Sequence, residues 1–182
     1  MMLIINICKE QLHYFEFVKP IGNILSRNNI EFITKHYKEL TFEDVRKSKR
    51  IIICGTSLKD NEFLENEKLF EWLLIYDRPL LGICGGIELI GKVFGGKIKN
   101  KQEIGLNEID FEKPFLGLKE KNKVYQLHNF YVDISNVKDI EIYSRSYFNI
   151  PQAIKHKSKP IYGVLFHPEV RNKGLVEEFC KL

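Results

Sequence analysis

The stretch PLLGICGGIELIGKVFGG, residues 79–96, constrains the fold of this chain more than any other. Pro79–Ile83 is a short apolar run of the kind that forms a strand buried on both faces. It breaks at Cys84–Gly85–Gly86, and the chain resumes from Ile87 to Phe94 with helical spacing, closed by Gly95–Gly96. A buried strand that turns at once into a helix is the repeating unit of a parallel sheet covered by helices.

The flanking sequence continues that pattern. Met2–Cys8 reads as a first strand, and Tyr14–Asn28 as a helix with Phe15, Val18, Ile21, Ile24 and Leu25 on one side. Glu31–Thr34 and Arg50–Cys54 read as further strands, the second running into Gly55–Thr56–Ser57, and Asn61–Tyr76 has helical periodicity. Beyond residue 97 the signal changes to short β-like stretches: Lys97–Asn100, Leu106–Phe111, Val124–His128, Phe130–Ile134, Glu141–Ser146, Gln152–Lys155 and Ile161–Phe166. An amphipathic helix, Gly174–Cys180, carries Leu175, Val176 and Phe179. The expected fold is α/β: a doubly wound, mostly parallel sheet flanked by helices, with an appended mixed or antiparallel β portion. No internal repeat or low-complexity linker divides the 182 residues, so 1–182 is expected to be a single domain.

Composition narrows the function classes. The 28 basic and 24 acidic residues are scattered along the chain, without the basic stripe of a nucleic-acid-binding protein. Cys8, Cys54, Cys84 and Cys180 are widely spaced and form no C-x-x-C pair, which signals neither a metal site nor a disulfide framework and fits a reducing cytoplasm. The apolar start MMLIINICKE lacks the basic flank and small-residue cleavage site of an export signal, and no run is long enough to span a membrane.

Gly82–Ile83–Cys84–Gly85–Gly86 has the form G-x-nucleophile-x-G, in which glycines let the chain turn sharply and leave the apex side chain exposed and strained. A cysteine at a helix N-terminus feels unpaired N–H groups and the positive end of the dipole, which favour thiolate. An isolated cysteine beside a glycine turn reads first as a small core hydrophobe, so a second feature is needed. A phosphate cradle is the weaker functional alternative, because neither a Walker lysine nor G-x-G-x-x-G is present. The second feature is Gly163–Val164–Leu165–Phe166–His167–Pro168–Glu169. Proline holds that strand end extended, and alternation sends His167 and Glu169 to the same side. The carboxylate can then orient one imidazole nitrogen while the other faces a nucleophile.

Together PLLGICGG and GVLFHPEV resemble the class I glutamine amidotransferase family, whose motifs look like P-x-L-G-I-C-x-G and G-x-x-F-H-P-E. The resemblance covers nearly the whole chain. It implies that Cys84 forms a γ-glutamyl thioester and releases ammonia, that His167 is general base and acid, and that Glu169 orients it. It also implies an oxyanion hole from the backbone N–H of Gly85 and one from Gly55–Thr56, each donor worth roughly 3 kcal/mol of barrier. Gln126–Val132 resembles the family segment that contacts substrate glutamine, which makes His128, Asn129 and Phe130 candidate binding residues. His128 also reads as an ordinary strand histidine.

Two positions depart from the family pattern. Glu88 stands where a glutamine is usual, facing either the α-carboxylate or the α-ammonium of the substrate, and Cys54–Gly55–Thr56–Ser57 replaces the usual Gly-Gly-Pro. Residues 153–163 resemble the separate glutaminase subunits of archaeal-type GMP synthases, whereas the Cys-Gly-Gly elbow resembles cobyric-acid-synthase-type relatives and residues 126–132 the small subunit of carbamoyl-phosphate synthase. No ATP-binding loop is present, so the resemblance implies that ammonia passes to a synthetase subunit in trans, with no cofactor and no metal on this chain. Two alternatives share the fold: a stand-alone γ-glutamyl hydrolase, and a non-catalytic regulatory or binding paralogue with an altered pocket.

Overall fold

The computed structural model describes residues 1–182. Strand β1 (Met2–Asn6) leads through a short turn α1 (Gln11–His13), a π-helical segment (Tyr14–Val18) and α2 (Lys19–Arg27) to β2 (Phe32–His36). Helix α3 (Phe42–Lys47) precedes β3 (Arg50–Ile53), and α4 (Glu62–Glu65) with a 3₁₀ segment (Glu67–Leu74) precedes β4 (Leu80–Ile83), which turns directly into α5 (Gly85–Val93). Strands β5 (Lys97–Phe115), β6 (Leu118–Asp133), β7 (Ile140–Arg145), β8 (Pro151–His156) and β9 (Ile161–Val164) follow, and then α6 (Lys173–Phe179).

All nine strands form one sheet in the order β2-β1-β3-β4-β9-β8-β7-β5-β6. From β2 to β9 the pairing is parallel, and from β9 to β6 it is antiparallel. The parallel part has the doubly wound order of a flavodoxin-like fold. The antiparallel part extends that sheet across β8, rather than packing beside it.

Alternation along the parallel strands builds two cores. Met2, Ile4, Ile52 and Leu81 pack under Ile21 and Leu25 of α2 and Val176 and Phe179 of α6. Leu3, Ile5, Ile51 and Leu80 face the other way, against Phe63, Phe70 and Ile90 of the opposite helical layer. Strands buried on both faces explain the uninterrupted apolar runs in the sequence.

Several elements differ from the sequence-based expectation. Tyr14–Val18 is π-helical, so the turn just before Pro20, which has no N–H to donate, is wider than α-helical spacing assumes. As a result Phe17 is buried (6% exposed) and Phe15 lies outside (50%). The 61–76 region is not one helix: the Asn66 side chain donates to the Glu62 carbonyl at 2.8 Å, competing with the backbone ladder, and the chain continues as 3₁₀. Helix α3 leaves little apolar pattern in the sequence because it buries only Val45, although Thr41 and Asp44 form a reciprocal capping box. The stretches 97–111 and 124–134 merge into one long hairpin, closed by a two-residue turn with positive φ at Leu116 (45°) and Gly117 (83°).

The elbow depends on missing side chains. A Cβ on Gly82 would lie 2.5 Å from the Gly86 carbonyl carbon, and one on Gly86 would lie 2.5 Å from the Ile53 carbonyl oxygen. Helix α5 therefore rests directly on the backbone of β3 and β4. Gly82→Ala should lower stability by about 2–3 kcal/mol, whereas Gly174→Ala, which meets nothing within 4 Å, should be neutral or slightly stabilising. Urea unfolding midpoints measure both, and equal midpoints would contradict this reading of the elbow.

Candidate active site

The carboxyl ends of β3, β4 and β9 converge on one spot. Cys84 is the residue between β4 and α5, at φ 49° and ψ −106°, a conformation that costs a non-glycine residue roughly 1–3 kcal/mol. Its N–H donates to Val164 O of β9 at 2.8 Å, and its carbonyl accepts from Ile87 and Glu88 to begin the helix. Gly85 opens α5, so its N–H has no acceptor one turn back. The Cys84 thiol lies 3.7 Å from the Leu127 carbonyl of β6.

His167 follows β9, and its N–H donates to Tyr125 O of β6 at 2.8 Å. Its Nδ1 lies 2.7 Å from Glu169 Oε1, a hydrogen bond that places the Nδ1 proton toward the carboxylate. Nε2 is buried and has no hydrogen-bond partner. Burial disfavours the imidazolium, but the Glu169 carboxylate and the Cys84 sulfur outweigh it and hold the His167 pKa well above the usual value. Phe17 covers the ring, with centroids 5.3 Å apart.

Gly55, just past β3, shows how close these groups stand. A Cβ there would lie 2.8 Å from His167 Cε1 and 3.1 Å from Cys84 Cβ. The Gly55 backbone, the imidazole and the cysteine are thus in mutual contact.

A narrow cleft opens over Cys84, walled by Thr56, Leu58, Asp60, Glu88, His128 and Asn129. Glu88 lies one helical turn beyond Cys84 on the same face. It is 4% exposed, and burial alone pushes its carboxyl up to about 8. Phe130 completes the wall.

His128 is buried, with Nε2 3.2 Å from Glu103 Oε2 of β5. Glu103 also accepts from Gln152 at 2.9 Å and Gln126 at 3.4 Å. Asn129 bridges the cleft: it donates to the Leu58 carbonyl at 2.9 Å and accepts from Gln102 at 2.6 Å. Sequence reasoning missed Asp60, Glu103 and Phe17. Glu103 meets His128 only through the β5–β6 pairing, which no local pattern announces.

The other three cysteines are different. Burial pushes Cys8 up to about 12, Cys180 up to about 11 and the fully enclosed Cys54 far above its ordinary value, so all three are held as thiols. No group of three or more His, Cys, Asp or Glu side chains is placed to hold a metal ion, and no helix is long and apolar enough to cross a membrane.

The arrangement defines a class: an α/β protein with a cysteine–histidine–carboxylate site at the carboxyl edge of its parallel strands. More particularly, the chain belongs to the family described as glutamine amidotransferase class-I, whose profile matches residues 13–179. A Pyrococcus furiosus protein, named as one subunit of glutamine-hydrolysing GMP synthase, is 38% identical over 149 residues, 75% of this chain and 76% of that one. The Pyrococcus abyssi protein of the same name is 36% identical over 129 residues, 64% of this chain and just under two thirds (66%) of that one. Among solved structures, a Thermoplasma acidophilum protein provisionally described as one GMP synthase subunit superposes with TM-score 0.86 at 20% identity, over 99% of this chain and 92% of that one. A Thermotoga maritima glutamine amidotransferase gives 0.69 at 22%, over 99% and 82%. These last two likenesses concern the fold.

The Glu88 carboxyl makes stability depend on pH. Its folded pKa of about 8 lies above its ordinary value of 4.5, so between those values the folded state keeps a proton that the unfolded state releases. Stability contributed by this group is therefore full below about pH 4.5, falls as pH rises toward 8, and levels off above. Glu88→Gln should remove that slope, gaining on the parent chain by a few kcal/mol between pH 5 and pH 9 in urea unfolding. Parallel pH profiles would contradict it.

Proposed function

We propose that this chain hydrolyses glutamine to glutamate and ammonia through Cys84, His167 and Glu169, as one domain spanning residues 1–182, and passes the ammonia to a separate synthetase subunit. The observation that carries the reading is the His167–Glu169 hydrogen bond of 2.7 Å, with the second imidazole nitrogen buried and unpartnered beside the elbow cysteine.

The chemistry follows from that geometry. The Cys84 thiol gives its proton to His167 Nε2, and the sulfur adds to the side-chain amide carbon of glutamine. The carbonyl oxygen becomes an oxyanion, held by backbone N–H groups of Gly85 and of Gly55 or Thr56. His167 then returns the proton to the leaving nitrogen, the C–N bond breaks, and ammonia departs from a γ-glutamyl thioester. Water, deprotonated by His167, attacks the thioester; its collapse releases glutamate and restores the thiol. Glu169 keeps the imidazole oriented and stabilises its charged form throughout.

Glu88, His128, Asn129 and Phe130 form the binding wall in this reading. The cleft presents carboxyl groups and no lysine or arginine, so the α-ammonium of glutamine is the end that Glu88 receives. The synthetase in trans is suggested by the names of the relatives, which describe a subunit of GMP synthase. Four free cysteines suit a reducing cytoplasm.

Steady-state ammonia release from glutamine, with and without a partner synthetase, tests the proposal. Cys84→Ala should lower release by at least about 10³-fold, while leaving ammonia-dependent synthesis by the complex intact. Full release without any partner would favour the stand-alone γ-glutamyl hydrolase. No release under either condition would favour the non-catalytic paralogue and overturn the proposal.

A further inference from the structure

The loop after β3 supplies oxyanion donors, yet it lacks the proline expected to stiffen it. Side chains fasten it instead. Thr56 Oγ1 donates to Asp60 Oδ2 at 2.7 Å, and the Lys9 backbone N–H donates to the same oxygen at 2.6 Å. The Asp60 N–H closes the turn onto Ser57 O at 3.0 Å. From below, the Cys8 thiol donates to Gly55 O at 3.6 Å, and burial keeps that thiol protonated and able to donate. From above, Asn129 holds Leu58 O.

Asp60 is the hub. It is buried, its Oδ2 takes both donors, and it ties the loop to the segment after β1. Both donors converge on that one oxygen, so losing the side chain releases two anchors of the loop at once. His13 Nδ1 lies 3.8 Å from the same oxygen, and Asp60 Oδ1 is buried without a hydrogen-bond partner. The loop needs this fastening because its Gly55 backbone packs against both His167 and Cys84 with no room for a methyl group. A displacement of about 1 Å in such a site costs on the order of 10²-fold in rate.

We propose that Asp60 is a positioning residue for the oxyanion hole: clamped by the Thr56 hydroxyl and the Lys9 N–H, its carboxylate fixes the Gly55–Thr56 backbone against Cys84. This rests on the glutamine-hydrolysing reading above. Asp60 does not touch the reacting atoms; it acts through the loop.

The test compares two reactions of Cys84 in the full chain. Glutamine hydrolysis passes through an oxyanion, whereas alkylation by iodoacetamide displaces iodide at a saturated carbon and forms none. Asp60→Ala should lower kcat for glutamine by roughly 10²-fold. The iodoacetamide rate at Cys84, read by peptide mass spectrometry, should stay within about threefold of the parent. Asp60→Asn keeps an acceptor oxygen and should recover most of the loss. Thr56→Val removes one clamp at constant volume and should lower kcat in the same way, so it decides the matter if Asp60→Ala does not fold. Near-parental kcat in both Asp60→Ala and Thr56→Val, or alkylation that slows in step with hydrolysis, overturns this proposal while the hydrolase reading stands. A parent chain that hydrolyses no glutamine overturns both.

Discussion

The close approach of three backbones at the elbow governs the rest of the site. Because Gly82 and Gly86 lack side chains, β4 and α5 touch each other and Gly86 rests on Ile53, the last residue of β3. That contact leaves Cys84 nowhere to go except into a left-handed conformation. The strain is local, and the surrounding burial of Ile83, Ile87 and Ile90 over-determines it. Gly55 extends the same device to β9, since only a bare backbone fits between the cysteine and the imidazole. Position along the sheet edge, rather than any single strong interaction, brings Cys84, the His167 imidazole and the Gly55 backbone together.

Electrostatics then divides the ionisable groups by role. His167 and Glu169 form a buried pair in which the carboxylate favours the charged imidazole strongly enough to outweigh its desolvation. Glu88 has no such partner, and burial drives it toward its neutral form. A carboxyl kept neutral until a cation arrives is suited to recognising an ammonium group. Cys8, Cys54 and Cys180 are pushed toward the thiol by the same desolvation, which Arg50 offsets only in part at Cys180.

Much of this was legible in the sequence, because the informative parts are local. Buried parallel strands write themselves as Ile-rich runs, the elbow as glycines around a cysteine, and the orienting pair as His167 and Glu169 two residues apart in an extended chain. What could not be read depends on distant or irregular structure. The Glu103–His128 pair exists only through β5–β6 register, and Asp60 gains its role only when Lys9 arrives from another loop. The break at Asn66 and the π-helical turn before Pro20 are local, but each defeats a periodicity that assumes 3.6 residues per turn. Residues 100–103, polar and bulged, interrupt the alternation that would have joined two predicted strands into one.

The central claim is that Cys84 attacks the side-chain amide carbon of glutamine. A glutamine analogue carrying a chloroketone or diazoketone in place of the amide tests it most directly, with the site of modification located by peptide mass spectrometry. The account predicts one adduct per chain, on Cys84, formed at a rate that free glutamine suppresses. Modification spread over Cys8, Cys54 or Cys180, or labelling of Cys84 that glutamine does not slow, would contradict it.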